Sequence, residues 1–273
     1  MKIKLKIKRI IVILFTFTVV GIGYYMFQFI INPKQINAVE VNRVQQVSGL
    51  PKIEFKKTIP TRFNGNERKV VYLTFDDGPG KYTANLLDIL KKNNVKATFF
   101  LIGDNVKMFS GLVKREQLEN HYIGMHSMTH DYKKLYTNKE YVKEMKEDQS
   151  LIKSVIGNSP KLTRPPYGSM PGLNESLRGE VVRNNMKVWD WTIDSLDWKY
   201  NKVPVNTAAT KIVQNVLAGA TSSNEIILMH DIHPQSVAAV PEIIKGLKEK
   251  GYEFESYDEN NHFPINFWHD SRI

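Results

Sequence analysis

Residues 70–80 read VVYLTFDDGPG. Val70–Phe75 is β-branched and aromatic, the composition of a strand buried in a sheet. It ends in two carboxylates, Asp76 and Asp77, followed at once by a Gly-Pro bend. Alone, Asp-Asp-Gly-Pro is a turn in which Asp accepts backbone hydrogen bonds. Neighbouring carboxylates at a strand end repel, however, and an unpaired charge there loses hydration worth on the order of several kcal/mol. A bound cation would offset both costs. The stretch therefore marks the first strand of a sheet and a candidate metal site.

Outward from it, strand-like runs recur at Ala97–Leu101, Ile123–His126, Leu162–Arg164, Lys187–Thr192, Glu225–His230 and Tyr252–Ser256. Between them lie helical patterns: YTANLLDILKKNN, DNVKMFSGLVKREQLEN, KEYVKEMKEDQSLIKSVIG, LNESLRGEVVRNN, TAATKIVQNVLAGA and VAAVPEIIKGLKEK. Such alternation predicts an α/β domain with a parallel sheet and helical crossovers. About seven strands of this kind form either an open doubly wound sheet or a closed barrel. No G-x-G-x-x-G loop follows the first strand, so a dinucleotide-binding version lacks its signature.

In parallel α/β folds, ligands bind at the carboxyl ends of the strands. The chemically distinctive residues fall there. Asp76 and Asp77 close the first strand; His126 closes the third, with His130 four residues on in HSMTH. Arg164 opens RPPYGS after the fourth, Asp194, Asp197 and Trp198 lie in TIDSLDW after the fifth, and His230 closes the sixth. A lone histidine is usually structural and a lone strand-end Asp usually caps a turn; five such features on one rim point to a site. Two imidazoles and one carboxylate suit a metal with open positions for water, zinc first and cobalt, manganese or nickel after it. The second Asp is then free to take a proton as general base, and Arg164 suits the task of keeping that base ionised. His230 suits proton donation to a leaving group, with Asp197 orienting it. Trp198 and Leu228 offer a small apolar wall.

The N-terminus carries a different signal. Lys2, Lys4, Lys6, Lys8 and Arg9 precede an uncharged apolar run, Ile10–Ile31. As a helix that run reaches about 33 Å, enough for a hydrocarbon core of about 30 Å. Cations on its N-terminal side place the N-terminus in the cytoplasm. Bulky residues stand where a signal peptide would be cleaved, which favours an uncleaved anchor. The expected organisation is a basic segment 1–9, a transmembrane anchor 10–31, an extracellular stalk 32–66 and a catalytic domain 67–273. Removing the five N-terminal cations from the net charge of +10 leaves +5, spread through Lys/Glu segments such as KEYVKEMKED that read as solvated helix faces. No basic stripe or motif indicates nucleic acid. The absence of cysteine excludes disulfides, thiolate metal sites and a cysteine nucleophile.

TFDDGP, HSMTH, RPPYGS, DSLDW and LMHD occur in the order and approximate spacing found in the polysaccharide deacetylase family (carbohydrate esterase family four, the NodB-homology domain), which Lys69–Tyr257 resembles. The resemblance implies a distorted barrel of about seven parallel strands and helices. It also implies Asp76 as catalytic base, held by Arg164, and Asp77, His126 and His130 as ligands of one divalent metal. The Tyr167 backbone N–H would stabilise the oxyanion, His230 tuned by Asp197 would act as general acid, and Trp198 and Leu228 would line the acetate groove. The implied reaction is hydrolysis of an N-acetyl group on a hexosamine. Two departures stand out: Met125 precedes the first metal histidine where relatives commonly have Asn or His, and NHYIG replaces the usual GHEIG. Asp at position 77, rather than Asn, favours the N-acetylglucosamine branch over one resembling muramic acid deacetylases.

The expected activity is thus peptidoglycan N-acetylglucosamine deacetylation at a bacterial cell membrane, with a wall or surface glycan as partner and no protein partner. The same chemistry on poly-N-acetylglucosamine, chitin oligomers or acetylated xylan is the alternative. A two-carboxylate glycosidase would leave both histidines without a role and place its carboxylates side by side. A non-catalytic glycan-binding module would not need every position filled. The aromatic tail ENNHFPINFWHDSRI is expected to pack, with no assigned role.

Overall fold

Regular structure follows the strand–helix alternation of the sequence. The computed structural model describes residues 62–63 and 66–273; the basic segment, the membrane anchor and nearly all of the stalk expected from the sequence lie outside the described residues. Among the described residues, no helix is long and apolar enough to cross a membrane. Arg62–Phe63 (β1) and Asn66–Glu67 (β2) pair as a small antiparallel ladder. The opening stretch then forms most of Lys69–Gly78 (β3), with Pro79 and Gly80 just beyond its end.

Seven further strands follow: Thr98–Leu101 (β4), Tyr122–Met125 (β5), Leu162–Thr163 (β6), Lys187–Val188 (β7), Ile193–Asp194 (β8), Asn224–His230 (β9) and Tyr252–Phe254 (β10). The hydrogen-bonded path runs β7-β6-β5-β4-β3-β9-β8, and β10 pairs with the first residues of β3. Every pair in this sheet is parallel. The expected strand Lys187–Thr192 is not continuous. Its first part pairs with β6, then Trp189 bridges to Ile265 and the Asp190 N–H donates to the Ile265 carbonyl at 2.7 Å. Pairing resumes at Ile193 against β9. One stretch of sequence therefore feeds both edges of the path, and the sheet curls into a distorted barrel.

Helices carry the crossovers. The expected helix over DNVKMFSGLVKREQLEN is broken at Phe109 into Gly103–Met108 and Ser110–Leu118; Ser110 and Gly111, both weaker helix formers than Ala or Leu, follow the break. Tyr141–Ile156 stops at Gly157, whose φ of 80° supplies the left-handed cap. Asn174 caps Glu175–Arg183 by accepting from the Leu177 N–H at 3.2 Å. Pro234 opens Pro234–Glu249 at a position where its missing N–H costs nothing.

The period of two along β3 sorts its side chains. Val71, Leu73 and Phe75 join the core against the helices, with Leu86, Leu90, Val240 and Ile244. Val70 and Tyr72 face the other side, with Phe100, Leu162, Trp189, Ile226 and Tyr257, against which Phe263 and Ile265 of the C-terminal tail pack. The tail packs, as expected, and the structure adds where: Ile273 joins the helix-side core, while Phe263 and Ile265 lie on the sheet face away from the helices. The same alternation sends Thr74 and Asp76 to that inner face, at the carboxyl end of the central strand.

Candidate metal centre

Strict alternation would send Asp77 away from Asp76. The ladder between β3 and β4 slips at this point: Asp76 pairs with Phe100, but Gly78 pairs with Leu101. Asp77 is the extra residue, and its φ of 68° lies in the left-handed region. This β-bulge re-aims the second carboxylate toward the rim that holds the first. Asn105 fixes the bulge by donating its amide to the Asp77 carbonyl at 2.7 Å.

His126 and His130 meet Asp77 there. His126 Nε2 lies 3.4 Å and His130 Nε2 3.5 Å from Asp77 Oδ1. One ligand atom from each residue falls within 4.8 Å of the others. The partners of the remaining ring nitrogens fix both tautomers. His126 Nδ1 is 2.7 Å from the Arg164 carbonyl, which can only accept, so Nδ1 carries the proton. The Tyr167 hydroxyl donates to the His130 carbonyl at 3.1 Å, which leaves it to accept from His130 Nδ1 at 3.2 Å. Neutral rings in these tautomers turn two Nε2 lone pairs toward a carboxylate oxygen that is buried and has no hydrogen-bond partner. Three electron-rich atoms gathered this way fit a divalent cation: two nitrogens and one oxygen with room for further ligands. Burial pulls the Asp77 carboxyl up, but the adjacent imidazoles, His126 foremost and then His230 and His130, outweigh it and hold it well below the usual carboxylate range. Burial and the neighbouring His126 bring His130 down to about 4, so at neutral pH its ring offers a lone pair.

Asp76 sits beside this trio, its Oδ2 3.8 Å from His126 Nε2. Its Oδ1 accepts from Arg164 Nη1 at 2.9 Å. Arg164 is fully buried and all three of its nitrogens donate: Nη1 also to Thr74 Oγ1 at 2.6 Å, Nε to the Trp189 carbonyl at 3.1 Å and Nη2 to the Asp190 carbonyl at 2.9 Å. The Phe100 ring lies 4.2 Å from its guanidinium carbon. Such a rigid cation holds Asp76 in one geometry.

On the neighbouring strand β9, His230 pairs in register with Asp76 of β3. Its Nδ1 lies 2.8 Å from Asp197 Oδ1, while the other Asp197 oxygen accepts from the His230 N–H at 2.8 Å and the Ser236 hydroxyl at 2.5 Å. Burial pushes the imidazole down, but the hydrogen bond and charge of Asp197, with Asp76 and Asp77, lift it to about 9. Asp197 is itself pushed up by burial and held down overall by His230 and Ser236. This ring is protonated at neutral pH.

A cavity of about 450 Å³ joins these groups, lined by Asp76, Asp77, His126, His130, Tyr167 and His230, with Trp198 and Leu228 on its wall. All ten residues given a site role from the sequence are at or beside it: eight line it, as does Asp194, and Arg164 and Asp197 hold Asp76 and His230 from behind. The Tyr167 ring is 60% exposed and its φ is 67°. Among the described residues, no acceptor takes its backbone N–H.

Sequence reasoning missed several neighbours. Trp191 lines the cavity although its run reads as plain strand. Asp231, fully buried, accepts from the Thr83 hydroxyl; burial pushes its carboxyl up to about 7. Glu144 and Asp148 belong to the segment read as a solvated face, yet they are 2% and 0% exposed. Their signal was in the sequence: 144 and 148 continue the apolar stripe Tyr141, Met145, Ile152 along one helix face.

The profile of the polysaccharide deacetylase family matches residues 64–189. The chain is 67% identical over 273 residues, the whole of both proteins, to a peptidoglycan-N-acetylglucosamine deacetylase of Bacillus cereus. A peptidoglycan-N-acetylglucosamine deacetylase of Listeria monocytogenes is 37% identical over 202 residues, 74% of this chain and 41% of that one. Among solved structures, a Bacillus cereus polysaccharide deacetylase aligns with a TM-score of 0.75 at 73% identity, covering 76% of this chain and all of that one. A family 4 carbohydrate esterase from Streptomyces lividans, solved in complex with acetate, aligns with a TM-score of 0.62 at 30% identity over 72% of this chain and 98% of its own.

Proposed function

The chain belongs to the polysaccharide deacetylase family, and from that premise we propose that it hydrolyses the N-acetyl groups of N-acetylglucosamine in peptidoglycan, releasing acetate and leaving free amines. The observation that carries this reading is the convergence of two Nε2 atoms on the unpartnered Asp77 Oδ1, beside a second carboxylate held by a buried arginine.

Asp77, His126 and His130 would hold one divalent metal, zinc before cobalt, manganese or nickel. When bound, that ion supplies Lewis acidity at the acetyl carbonyl and makes water a stronger acid. Asp76 takes the proton of the attacking water, and the Arg164 Nη1 hydrogen bond holds that carboxylate in place to do so. The unpaired Tyr167 N–H is available to the oxyanion as the carbonyl becomes tetrahedral. His230 enters protonated and gives its proton to the departing amine nitrogen, while Asp197 holds the ring and compensates its charge. Trp198 and Leu228 border the space for the acetyl methyl.

Peptidoglycan lies outside the cytoplasmic membrane, so the domain works on the outer side. The cation block Lys2–Arg9 and the apolar run Ile10–Ile31 support a single-pass anchor with a cytoplasmic N-terminus. Membrane fractionation with protease protection tests that topology: loss of the domain from intact protoplasts supports it, and a soluble, protected domain contradicts it.

Acetate release from purified wall glycan tests the activity itself. Release should stop with chelator and return with zinc or cobalt, and Asp76→Ala should lower kcat by about 10²–10⁴-fold. Chitin oligomers, poly-N-acetylglucosamine and acetylated xylan assayed alongside separate the polymers. Release that ignores both chelator and His126→Ala contradicts the reading.

A further inference from the structure

Glu144 and Asp148 lie outside the cavity but are bonded to the segment that carries both imidazoles. Within that segment Ser127 and His130 have φ of 71° and 57°. Non-glycine residues hold such values only where their surroundings enforce them. The enforcement is visible from two sides. The Ser127 and Met128 carbonyls accept from the Gly103 and Asp104 N–H groups at 2.9 and 3.1 Å. Glu144 Oε2 accepts both the backbone N–H of Thr129, at 3.0 Å, and its hydroxyl, at 2.9 Å. The other Glu144 oxygen accepts from Lys134 Nζ at 3.0 Å, so the buried charge is paired. One helical turn on, Asp148 Oδ2 lies 3.3 Å from the His126 N–H, which also reaches the Leu101 carbonyl at 2.8 Å.

The asymmetry between the two acids decides which matters more. The His126 N–H has a second acceptor, whereas the Thr129 N–H and hydroxyl both depend on Glu144 alone among the described residues. His130 is the next residue, its own N–H spanning back to Ser127 Oγ at 2.9 Å. We propose that Glu144 is a positioning residue of the metal centre: through Thr129 it locks the left-handed turn that aims His130 Nε2 at Asp77 and His126. Without that carboxylate the turn can relax, and the two imidazoles no longer present their lone pairs at one point.

The inference rests on the metal-site reading, and zinc titration separates the two. Metal-stripped protein is titrated with Zn²⁺ alone by calorimetry, with thermal melts on the same samples. Glu144→Ala should bind zinc about 10–100-fold more weakly than the parent, the range seen when groups supporting metal ligands are removed. Glu144→Gln, which keeps one acceptor, and Thr129→Val, which keeps the N–H bond, should show smaller losses and remain folded if the alanine variant does not. The zinc concentration that half-restores turnover should rise by the same factor while KM for glycan stays constant, a split that mere destabilisation does not produce. Ser150→Ala, an exposed change on the same helix, should leave zinc affinity untouched. Zinc affinity within about twofold of the parent in every folded variant at 144 and 129 overturns this inference alone, set against that range. A parent protein that takes up no zinc overturns it together with the metal-site reading.

Discussion

At the scale of single residues, His230 and Asp197 make the sharpest prediction. The imidazole near 9 is protonated through the neutral range, so activity that needs its proton should fall as pH rises through about 9. Asp197→Asn removes the charge that lifts it; the alkaline limb of kcat/KM should then move down by at least about one pH unit, toward the ordinary histidine value near 6.5. An unmoved limb contradicts the acid role. The pair also contributes stability, because the folded-state value lies above the unfolded one. That contribution is complete below about pH 6.5 and is lost as pH rises to about 9. Residue identities at the site were legible because chemistry restricts them: histidine four residues from histidine, and carboxylates where a core strand ends. Their hydrogen-bond supports were not. Glu144 stands among lysines in the sequence, and only the packed helix shows that its carboxylate turns inward.

At the scale of elements, the decisive feature is the bulge in β3. Sequence pattern predicts the strand and even its end, yet alternation alone would separate Asp76 from Asp77. One extra residue in the left-handed region brings them to the same rim. Gly78 is required beside it for space: a Cβ there would overlap the buried Asp231 carboxyl group. Gly78→Ala should therefore destabilise the fold by about 1–3 kcal/mol, the usual cost of overpacking, measured by urea denaturation; an unchanged midpoint would contradict this tight approach. The run Lys187–Thr192 misleads for the opposite reason. Its Val and Trp residues have strand character, but Trp189 and Asp190 bond to the tail and split it between two edges. Strand propensity registers fit to a pleated surface and carries no information about which neighbour supplies it.

Across the whole molecule, the alternation of strands and helices disclosed a parallel α/β fold, while barrel closure depended on contacts between distant segments. Tyr72, Trp189 and Phe263 form one aromatic cluster, with ring centroids 5.0–5.6 Å apart. Trp189 also donates its indole N–H to the Phe263 carbonyl at 2.9 Å. The tail residues were visible in the sequence as aromatic; their partner face was not. Trp189→Ala should cost about 3–5 kcal/mol of stability, read as a lowered urea midpoint, and a change below about 1 kcal/mol would mean the cluster does not close the barrel. The same tail reaches the site's supports, since Asp190 Oδ2 accepts from the Phe267 N–H at 2.7 Å while its backbone carbonyl accepts from Arg164. The central claim is that this scaffold gathers Asp77, His126 and His130 around one divalent ion. Anomalous diffraction at the zinc edge from crystals of the zinc-loaded protein tests it directly. A single strong peak is expected about 2.0–2.2 Å from an Asp77 oxygen and from Nε2 of both histidines. A peak elsewhere, or none in crystals whose dissolved protein still releases acetate, would contradict it.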